Sequence, residues 1–258
     1  MALSADRYTV QRILEIRRWM PHLFSFRTTR DPAFRFVPGQ FARLGVRKED
    51  GSLAWRAYSI VSAPYDDYLE FYSIVVAGGE FTTRLAQLAE GDELLVEKTS
   101  YGFLTTDRFE SGKDLWLLAT GTGLAPFMAI LHDPQTWRHY DNIVLAHSVR
   151  TAAELAYREE IARLGEHPLI DELARKLAYV PIVTREPLEG ALTRRIPALI
   201  ESGELEAAAG LPLDQERSRI MLCGNPQMVA ETRKLLGEMG YQLSRRAAPA
   251  QLAVENAW

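Results

Sequence analysis

The chain has 258 residues, a length that is enough for two domains. Of these residues 47% are hydrophobic and 25% are charged, a composition typical of a globular protein. Its net charge of −4 argues against general nucleic-acid binding, and no apolar run reaches the roughly 20 residues that span a bilayer. The only cysteine, Cys223, excludes an internal disulfide and a cysteine-ligated iron–sulfur cluster within the chain. Because residues 1–10 also lack an apolar signal core, we expect a cytoplasmic protein that neither inserts into a membrane nor binds a metal.

The first part of the chain, from about residue 7 to residue 105, has the pattern of short strands separated by turns. Residues 69–76 are rich in aromatic and β-branched side chains, as strands are, and a Pro-Gly turn at 38–39 precedes another strand. Many short strands predict a small antiparallel β-barrel. One helix interrupts the strands, and we expect Thr82 or Thr83 to cap its start.

The second part, from about residue 112, alternates apolar strands with helices. The expected strands are 115–119, 142–147, 179–183 and 219–223, and the expected helices include 127–131 and 154–164. Pro181 is typical of an edge strand, because proline cannot donate a ladder hydrogen bond. The alternation predicts an α/β domain with a doubly wound parallel sheet. We place the boundary within 107–113, which gives a β-barrel domain over 1–108 and an α/β domain over 112–258.

One short strand-like segment, Arg56-Ala57-Tyr58-Ser59, carries a cation, an aromatic ring and a hydroxyl. A flavin dinucleotide needs these groups: a guanidinium for its pyrophosphate, a flat apolar partner for its ring and a hydrogen-bonding group near N5. Alternate residues of a strand face the same way, so Arg56 and Tyr58 are expected to share a face. By itself the segment fits an ordinary exposed strand equally well.

A glycine-rich turn, Gly121-Thr122-Gly123, follows the apolar strand at 115–119 and precedes a helix. Such a turn is a usual place for a nucleotide phosphate, although Pro126 stands where the dinucleotide fingerprint has its third glycine. Proline is suited to the first helical turn, where its missing N–H costs nothing. The turn therefore predicts a nucleotide site at the carboxyl end of this strand.

Three arginines follow the later strands of the predicted sheet. Arg150 comes after the second strand, Arg185 after the third, and Arg195 lies in the segment 192–197. Nucleotide sites for NAD usually place an acidic residue against the ribose, whereas a basic residue accommodates the 2′-phosphate of NADP. Each arginine alone would be interpreted as a solvated surface charge, but the three together favour NADP.

Taken together, the Arg-x-Tyr-Ser segment, the glycine turn after Ala119-Thr120 and the tail Val254-Glu255-Asn256-Ala257-Trp258 resemble the bacterial ferredoxin/flavodoxin–NADP reductases, within the FAD-containing ferredoxin–NADP reductase family. The resemblance covers nearly the whole chain. It implies an FAD-binding barrel domain followed by an NADP-binding domain whose C-terminal tail covers the flavin. It also implies an oxidoreductase in which NADPH transfers a hydride to flavin N5, after which single electrons pass to ferredoxin or flavodoxin.

The resemblance implies a set of FAD-binding residues. In this family the arginine binds the pyrophosphate, the tyrosine packs beside the flavin and the serine lies near N5. The full expected set is Arg56, Ala57, Tyr58, Ser59, Ser73, Ile74, Val75, Glu80, Phe81, Thr82, Thr122, Ala257 and Trp258. Plant-type members have a tyrosine on the ring where this chain has Ala257, and Trp258 is expected to stack on the adenine. Composition alone would instead predict a disordered tail.

The resemblance also implies residues around NADP and the reacting atoms. The expected NADP set is Gly121, Gly123, Val149, Arg150, Thr184, Arg185, Arg195, Cys223, Gly224 and Asn225. The expected catalytic set is Ser59, Cys223, Glu255 and Ala257. Glu255 falls near the active-site carboxylate of the family, and Cys223 lies beside the nicotinamide as a lining residue and not as a nucleophile. A lone cysteine is also often just a small buried hydrophobe.

The expected partners, ferredoxin and flavodoxin, are typically acidic. Residues 10–48 carry nine basic side chains against Glu15 and Asp31, which would steer an acidic partner if they share a face. Scattered surface arginines are the alternative interpretation, and we expect a monomer. Two other functions stay open at this point: a reductase component for an oxygenase or for free flavin, and a non-catalytic flavin-binding or redox-sensing module.

Overall fold

The computed structural model describes residues 7–256. Its first part is a sheet of six antiparallel strands: β1 (Tyr8–Met20), β2 (Leu23–Thr29), β3 (Phe41–Arg47), β4 (Leu53–Ser59), β5 (Tyr68–Ile74) and β6 (Glu93–Tyr101). Their order is β4-β3-β6-β1-β2-β5. A bridge between Ile60 and Phe71 joins the two edge strands just beyond β4, so the sheet closes into the predicted barrel.

The barrel is closed around an apolar interior. Its inward-facing side chains include Phe24, Phe26, Leu44, Phe71 and Leu94, all of which are buried. The alternation of buried and exposed residues along β1 and β3 follows from the period of two in a strand, with one face toward this interior. The prediction of an N-terminal antiparallel barrel is therefore confirmed.

Helix α1 (Glu80–Leu85) lies between β5 and β6, and it begins differently from the prediction. Gly79 occupies the N-terminal cap, and no side chain of the described residues caps the helix. Thr82 lies inside the first turn, where its hydroxyl accepts a hydrogen bond from the Val76 N–H at 3.1 Å and donates to the Gly79 carbonyl at 3.3 Å. The expected capping role was wrong because this hydroxyl instead closes the preceding loop.

The second part is a sheet of five parallel strands: β7 (Asp114–Thr120), β8 (Asn142–Val149), β9 (Leu177–Val183), β10 (Ser218–Gly224) and β11 (Leu252–Asn256). Their order is β11-β10-β7-β8-β9, so β9 lies at an edge, as Pro181 predicts. The helices are α2 (Ala125–Leu131), α3 (Pro134–His139), α4 (Arg158–Ala162), α5 (Ile196–Glu201), α6 (Glu204–Ala209) and α7 (Pro226–Glu238). They bury the two faces of the sheet in separate apolar clusters, which confirms the doubly wound fold.

The helix expected over 154–164 is shorter than predicted. Only Arg158–Ala162 is α-helical, because Tyr157 has a left-handed backbone (φ 62°) that an α-helix does not permit. Its hydroxyl donates a 2.8 Å hydrogen bond to Glu70 on β5, and its ring meets Tyr72 edge-on. A contact between this residue and strand β5 of the barrel therefore takes precedence over the helical period of the sequence.

The barrel meets the second part of the chain through both polar and apolar contacts. Arg17 on β1 forms an ion pair with Glu160 in α4, beside the bond between Tyr157 and Glu70. Barrel residues Leu23 and Tyr72 belong to the same apolar cluster as the side chains of β7 and α2. The carboxyl ends of the parallel strands consequently open toward the barrel. No helix in residues 7–256 is long and apolar enough to cross a membrane.

Candidate functional site

The glycine turn predicted from the sequence lies at the carboxyl end of the central strand. β7 ends at Thr120, and a single 3₁₀ turn over Gly121–Leu124 leads directly into α2. Gly121 has a left-handed backbone (φ 53°), which glycine adopts without a steric penalty. His147 lies beneath the turn, and because a carbonyl only accepts, its Nε2–H donates the 3.1 Å hydrogen bond to the Gly121 oxygen. Burial lowers the pKa of His147 to about 4, so this ring is neutral near pH 7.

Close packing joins this turn to the end of β10. A Cβ on Gly123 would lie 2.3 Å from the Cys223 carbonyl oxygen, and one on Gly224 (φ 138°) would lie 2.1 Å from Thr120 Oγ1. Thr120 Oγ1 also accepts the Asn225 N–H at 2.8 Å. The absence of side chains at these two glycines lets the ends of β7 and β10 approach within hydrogen-bond distance.

Asn225 begins helix α7 directly after β10. Its side-chain oxygen accepts the N–H groups of Gln227 at 2.9 Å and Met228 at 3.3 Å, as an N-terminal cap does. The side-chain oxygen of Asn225 is thus used by the helix. Asn225 also lines a cavity at the same end of the sheet.

This cavity, of about 290 Å³, lies between the carboxyl ends of the parallel strands and the barrel. It is lined by nine of the residues that the sequence predicts for the two nucleotides: Ile74, Gly121, Thr122, Val149, Arg150, Thr184, Arg185, Arg195 and Asn225. It also contains residues that the sequence analysis missed, among them His22, Tyr72, Glu154, Gln227 and Glu231. For Gln227 and Glu231 a signal existed, since both are in the first turns of the helix that Asn225 caps.

The three predicted arginines lie on neighbouring loops of the cavity. Arg150, Arg185 and Arg195 are exposed, and no carboxylate of residues 7–256 lies within ion-pair distance of them. The adjacent Arg194, by contrast, pairs with Glu204 at 2.6 Å. Three guanidiniums without an internal counter-charge form a site that is suited to a phosphate.

The predicted flavin segment lies on β4, with its side chains in different surroundings. Tyr58 is partly buried, its hydroxyl is 2.9 Å from Ser73 Oγ, and its ring packs 5.6 Å from the ring of Phe81. Burial raises the pKa of Tyr58 to about 12, so it stays neutral. Arg56 is exposed, and within residues 7–256 its guanidinium donates only to the Trp55 carbonyl at 2.9 Å, which leaves most of its N–H groups available to a ligand.

The other residues expected around the flavin are more dispersed. Ala57 is exposed on β4, and Val75 is partly buried just after β5. Glu80 forms an ion pair with Lys48 at 3.0 Å. A carboxylate only accepts hydrogen bonds and repels a phosphate, so Glu80 would have to bind a nucleotide phosphate through its backbone N–H.

A second group of expected residues meets at the edge of the parallel sheet. Cys223 on β10 is paired in register with Glu255 on β11, and Glu255 Oε2 lies 3.2 Å from the position of a Cβ on Gly102. Burial raises the pKa of Glu255 to about 7, while a hydrogen bond from Ser59 acts in the opposite direction. Burial and the nearby Glu255 raise the pKa of the Cys223 thiol. The thiol is therefore protonated, which agrees with a lining residue rather than a nucleophile.

Ala257 and Trp258, which the sequence analysis places on the flavin, lie outside the described residues. The structure thus brings Ser59, Cys223 and Glu255 to the junction of the two sheets and the arginines to the cavity beside it. The arginines of the cavity, and the exposed Arg56 on β4, are cations of the kind that nucleotide phosphates need. The residues present therefore fit one nucleotide along the barrel and a second one in the cavity.

Comparison with known proteins defines the class. Residues 19–103 match the oxidoreductase FAD-binding domain family, and residues 117–234 match the oxidoreductase NAD-binding domain family. The chain is thus a flavin- and nicotinamide-dependent oxidoreductase built from these two domains. More narrowly, it belongs to the ferredoxin–NADP reductase family, as the resemblance in its sequence implies.

Individual relatives support that membership over most of the chain. The chain is 42% identical to a ferredoxin–NADP reductase of Pseudomonas aeruginosa, with 98% of each chain covered. It is 42% identical to a flavodoxin/ferredoxin–NADP reductase of Escherichia coli, with 86% of each covered. A crystal structure of a ferredoxin NADP⁺ reductase from Neisseria gonorrhoeae, with bound FAD and NADP, superposes with a TM-score of 0.91 at 37% identity, covering 98% of this chain and 99% of that one.

Proposed function

We propose that this protein transfers electrons between NADPH and a one-electron carrier by way of bound FAD. The observation that carries the proposal is the cavity, because it joins barrel residues such as Ile74 to loops with three arginines that pair with no carboxylate of the described residues. A nucleotide whose 2′-phosphate lies at the arginines would extend from there toward the junction of the two domains. NADPH is such a nucleotide, and FAD is the partner that the first domain binds.

On the barrel side, we propose that Arg56 binds the FAD pyrophosphate and that Tyr58 packs against the flavin. The free N–H groups of Arg56 support the first role, and the neutral ring of Tyr58, fixed by Ser73 and Phe81, supports the second. Thr82 is proposed to contact FAD at the start of α1. Thr122 lines the cavity close to the barrel and would contact both nucleotides.

On the other side, we propose that Arg150, Arg185 and Arg195 bind the 2′-phosphate of NADPH. Charge-assisted contacts of this kind contribute about 1.5–3 kcal/mol each, and NADH has no group to form them. The turn at Gly121 and Gly123 would hold the remaining phosphates, because it opens at the carboxyl end of β7. Asn225 would contribute through its side-chain amide group, since its backbone N–H is donated to Thr120.

When bound, FAD supplies the conversion of a two-electron hydride, accepted at N5, into two single electrons. The chain contributes the surroundings of that atom. Ser59 offers a hydroxyl at the end of β4, and Glu255 holds or releases a proton near neutral pH because its pKa is raised to about 7. Cys223, neutral and buried, defines the position of the nicotinamide without reacting.

The carrier is proposed to be ferredoxin or flavodoxin, the substrates named for the relatives above. The basic segment 10–48 supports an acidic partner less strongly than its composition indicates. Five of its nine cations pair with carboxylates of the protein, which leaves Arg18, Arg30, Arg35 and Arg47 without an ion pair in residues 7–256. The expectations of a monomer and of a cytoplasmic location stay predictions.

The test of the chemistry is an isotope measurement on the FAD-loaded protein. NADPH that carries deuterium on one face or the other of C4 is mixed anaerobically with the protein, and bleaching of the flavin absorbance is followed. We expect one of the two labelled forms to slow the bleaching and the other to leave it unchanged. No bleaching with NADPH, or equal rates with both labels, would contradict direct hydride transfer.

A further inference from the structure

Two carboxylates lie next to the three arginines of the cavity, where simple electrostatics would not place them. Glu154 lines the cavity itself, and Glu186 follows Arg185 directly. A negative charge at this position repels the phosphate that the arginines are proposed to bind. Neither carboxylate lies within ion-pair distance of an arginine in the described chain, so they do not act as internal counter-ions.

Both carboxylates instead accept hydrogen bonds from the backbone of the arginine-bearing loop. Glu154 Oε2 accepts the Arg150 N–H at 3.0 Å, and Glu186 Oε1 accepts the Ala152 N–H at 2.6 Å. An ionised acceptor makes such bonds shorter and stronger than a neutral one. Glu154 thus folds the loop back on itself, and Glu186 ties it to the neighbouring loop.

The Glu186 bond continues a ladder between the two loops. Beyond the paired ends of β8 and β9, the Thr184 N–H donates to the Val149 carbonyl at 3.0 Å and the Arg185 N–H donates to the Arg150 carbonyl at 2.9 Å. No further backbone bond joins these loops within the described residues, and the next link is the side chain of Glu186. This carboxylate therefore fixes the spacing of the two loops at the point where Arg150 and Arg185 leave them.

We infer that Glu154 and Glu186 are positioning residues that hold Arg150 and Arg185 in the arrangement that binds a ribose 2′-phosphate. The inference rests on the proposed NADPH function and deepens it. The carboxylates are retained in an anion site because their backbone bonds preorganise the guanidiniums, and preorganisation lowers the cost of binding. They select for the phosphate without touching it.

Two substitutions of Glu186 separate position from charge. Glu186→Gln keeps an acceptor oxygen at the same reach and removes the negative charge. Glu186→Asp keeps the charge and withdraws the acceptor by one methylene. Glu189→Gln is the matched control, since Glu189 is an exposed glutamate three residues further along the chain with no hydrogen bond in the described structure.

The measurement is the dissociation constant of adenosine 2′,5′-bisphosphate and of adenosine 5′-monophosphate, by calorimetry on the FAD-loaded protein. We expect Glu186→Asp to weaken bisphosphate binding about 3- to 10-fold, the loss of one hydrogen bond, with monophosphate binding unchanged. Glu186→Gln should bind the bisphosphate as tightly as the unchanged protein or more tightly, because the weaker bond of a neutral acceptor is offset by the loss of a charge that repels the phosphate. Glu154→Asp and Glu154→Gln should show the same order.

Three results would contradict the inference or the function on which it rests. If Glu186→Gln tightens binding while Glu186→Asp leaves it unchanged, the carboxylate acts only by its charge and the inference is overturned. If neither differs from Glu189→Gln, the backbone bond does not position the arginines. If the unchanged protein does not prefer the bisphosphate to the monophosphate, the proposed NADPH function fails first, independently of either glutamate.

Discussion

Gly123 lies so close to Cys223 that no side chain fits between them. A Cβ on Gly123 would be 2.3 Å from the carbonyl oxygen and 2.5 Å from the carbonyl carbon of Cys223, which are backbone atoms and cannot rotate away. The glycine turn and the end of β10 are therefore held as one surface. Both nucleotide-facing loops of the central strands depend on this contact.

We expect Gly123→Ala to destabilise the protein and to weaken nucleotide binding together. Forcing a methyl group into a packed contact costs about 1–3 kcal/mol, and here the strain falls on the loop that faces the cavity. Gly237→Ala in α7 is the control, because a Cβ there meets no atom of residues 7–256 within 4 Å and alanine is favoured in a helix. Urea unfolding and NADP titration measure both effects. A Gly123→Ala protein as stable as the control would show that the turn is mobile relative to β10.

The arginines provide the test of cofactor choice. We expect Arg150→Ala and Arg185→Ala each to raise the KM for NADPH by about 10-fold or more, because one charge-assisted phosphate contact is lost. The kinetics with NADH should change little. Arg194→Ala is the matched control, since Arg194 is already paired with Glu204. Equal losses with NADPH and NADH would indicate that these arginines support the fold instead.

Tyr58 and Ser73 provide a test on the flavin side. Their hydroxyls are 2.9 Å apart, and Ser73 is buried. We expect Tyr58→Phe to lower the free energy of unfolding by about 1–2 kcal/mol, because a buried hydroxyl loses its partner. Ser73→Ala should cost a similar amount, and the double variant less than the sum. Strict additivity in this double-mutant cycle would mean that the two hydroxyls do not interact.

Glu255 should make stability depend on pH in an unusual direction. Its pKa is raised to about 7 in the folded protein, above that of an unfolded glutamate, so the folded state binds the proton more tightly. The stabilisation that the Glu255 carboxyl contributes is fully present at low pH, and it is lost as the pH rises toward 7. We expect the free energy of unfolding of Glu255→Gln, compared with that of the unchanged protein, to increase by about 1–3 kcal/mol between pH 4.5 and pH 8. Parallel pH profiles for the two proteins would show that the carboxyl is solvated.

The fold could be predicted from the sequence because its signals are local and repeated. The aromatic and β-branched residues at 69–76, the apolar run 115–119 and Pro181 each specify one feature of the two sheets. The positions of Arg150 and Arg185 directly after predicted strands were also sufficient to place them on neighbouring loops. A resemblance was needed to connect the barrel segment with a flavin, because Arg56 and Tyr58 alone fit any exposed strand.

What the sequence did not predict depends on contacts between distant segments. The role of Thr82 follows from the path of the loop before it, and the short α4 follows from the bond between Tyr157 and Glu70. His147 had no signal, because its partner is a backbone carbonyl of a turn that lies 26 residues earlier. Glu154 and Glu186 resemble ordinary surface charges in the sequence, and only their bonds to backbone N–H groups distinguish them.

The central claim is that this chain converts two-electron reduction by NADPH into one-electron reduction of a carrier. The most direct measurement is an anaerobic titration in which limiting NADPH is added to the FAD-loaded protein with excess oxidised ferredoxin, and separately with flavodoxin. We expect two singly reduced carrier molecules for each NADPH consumed, and far less carrier reduction with NADH at equal concentration. Flavin reduction by NADPH with no electron appearing on either carrier would contradict the claim.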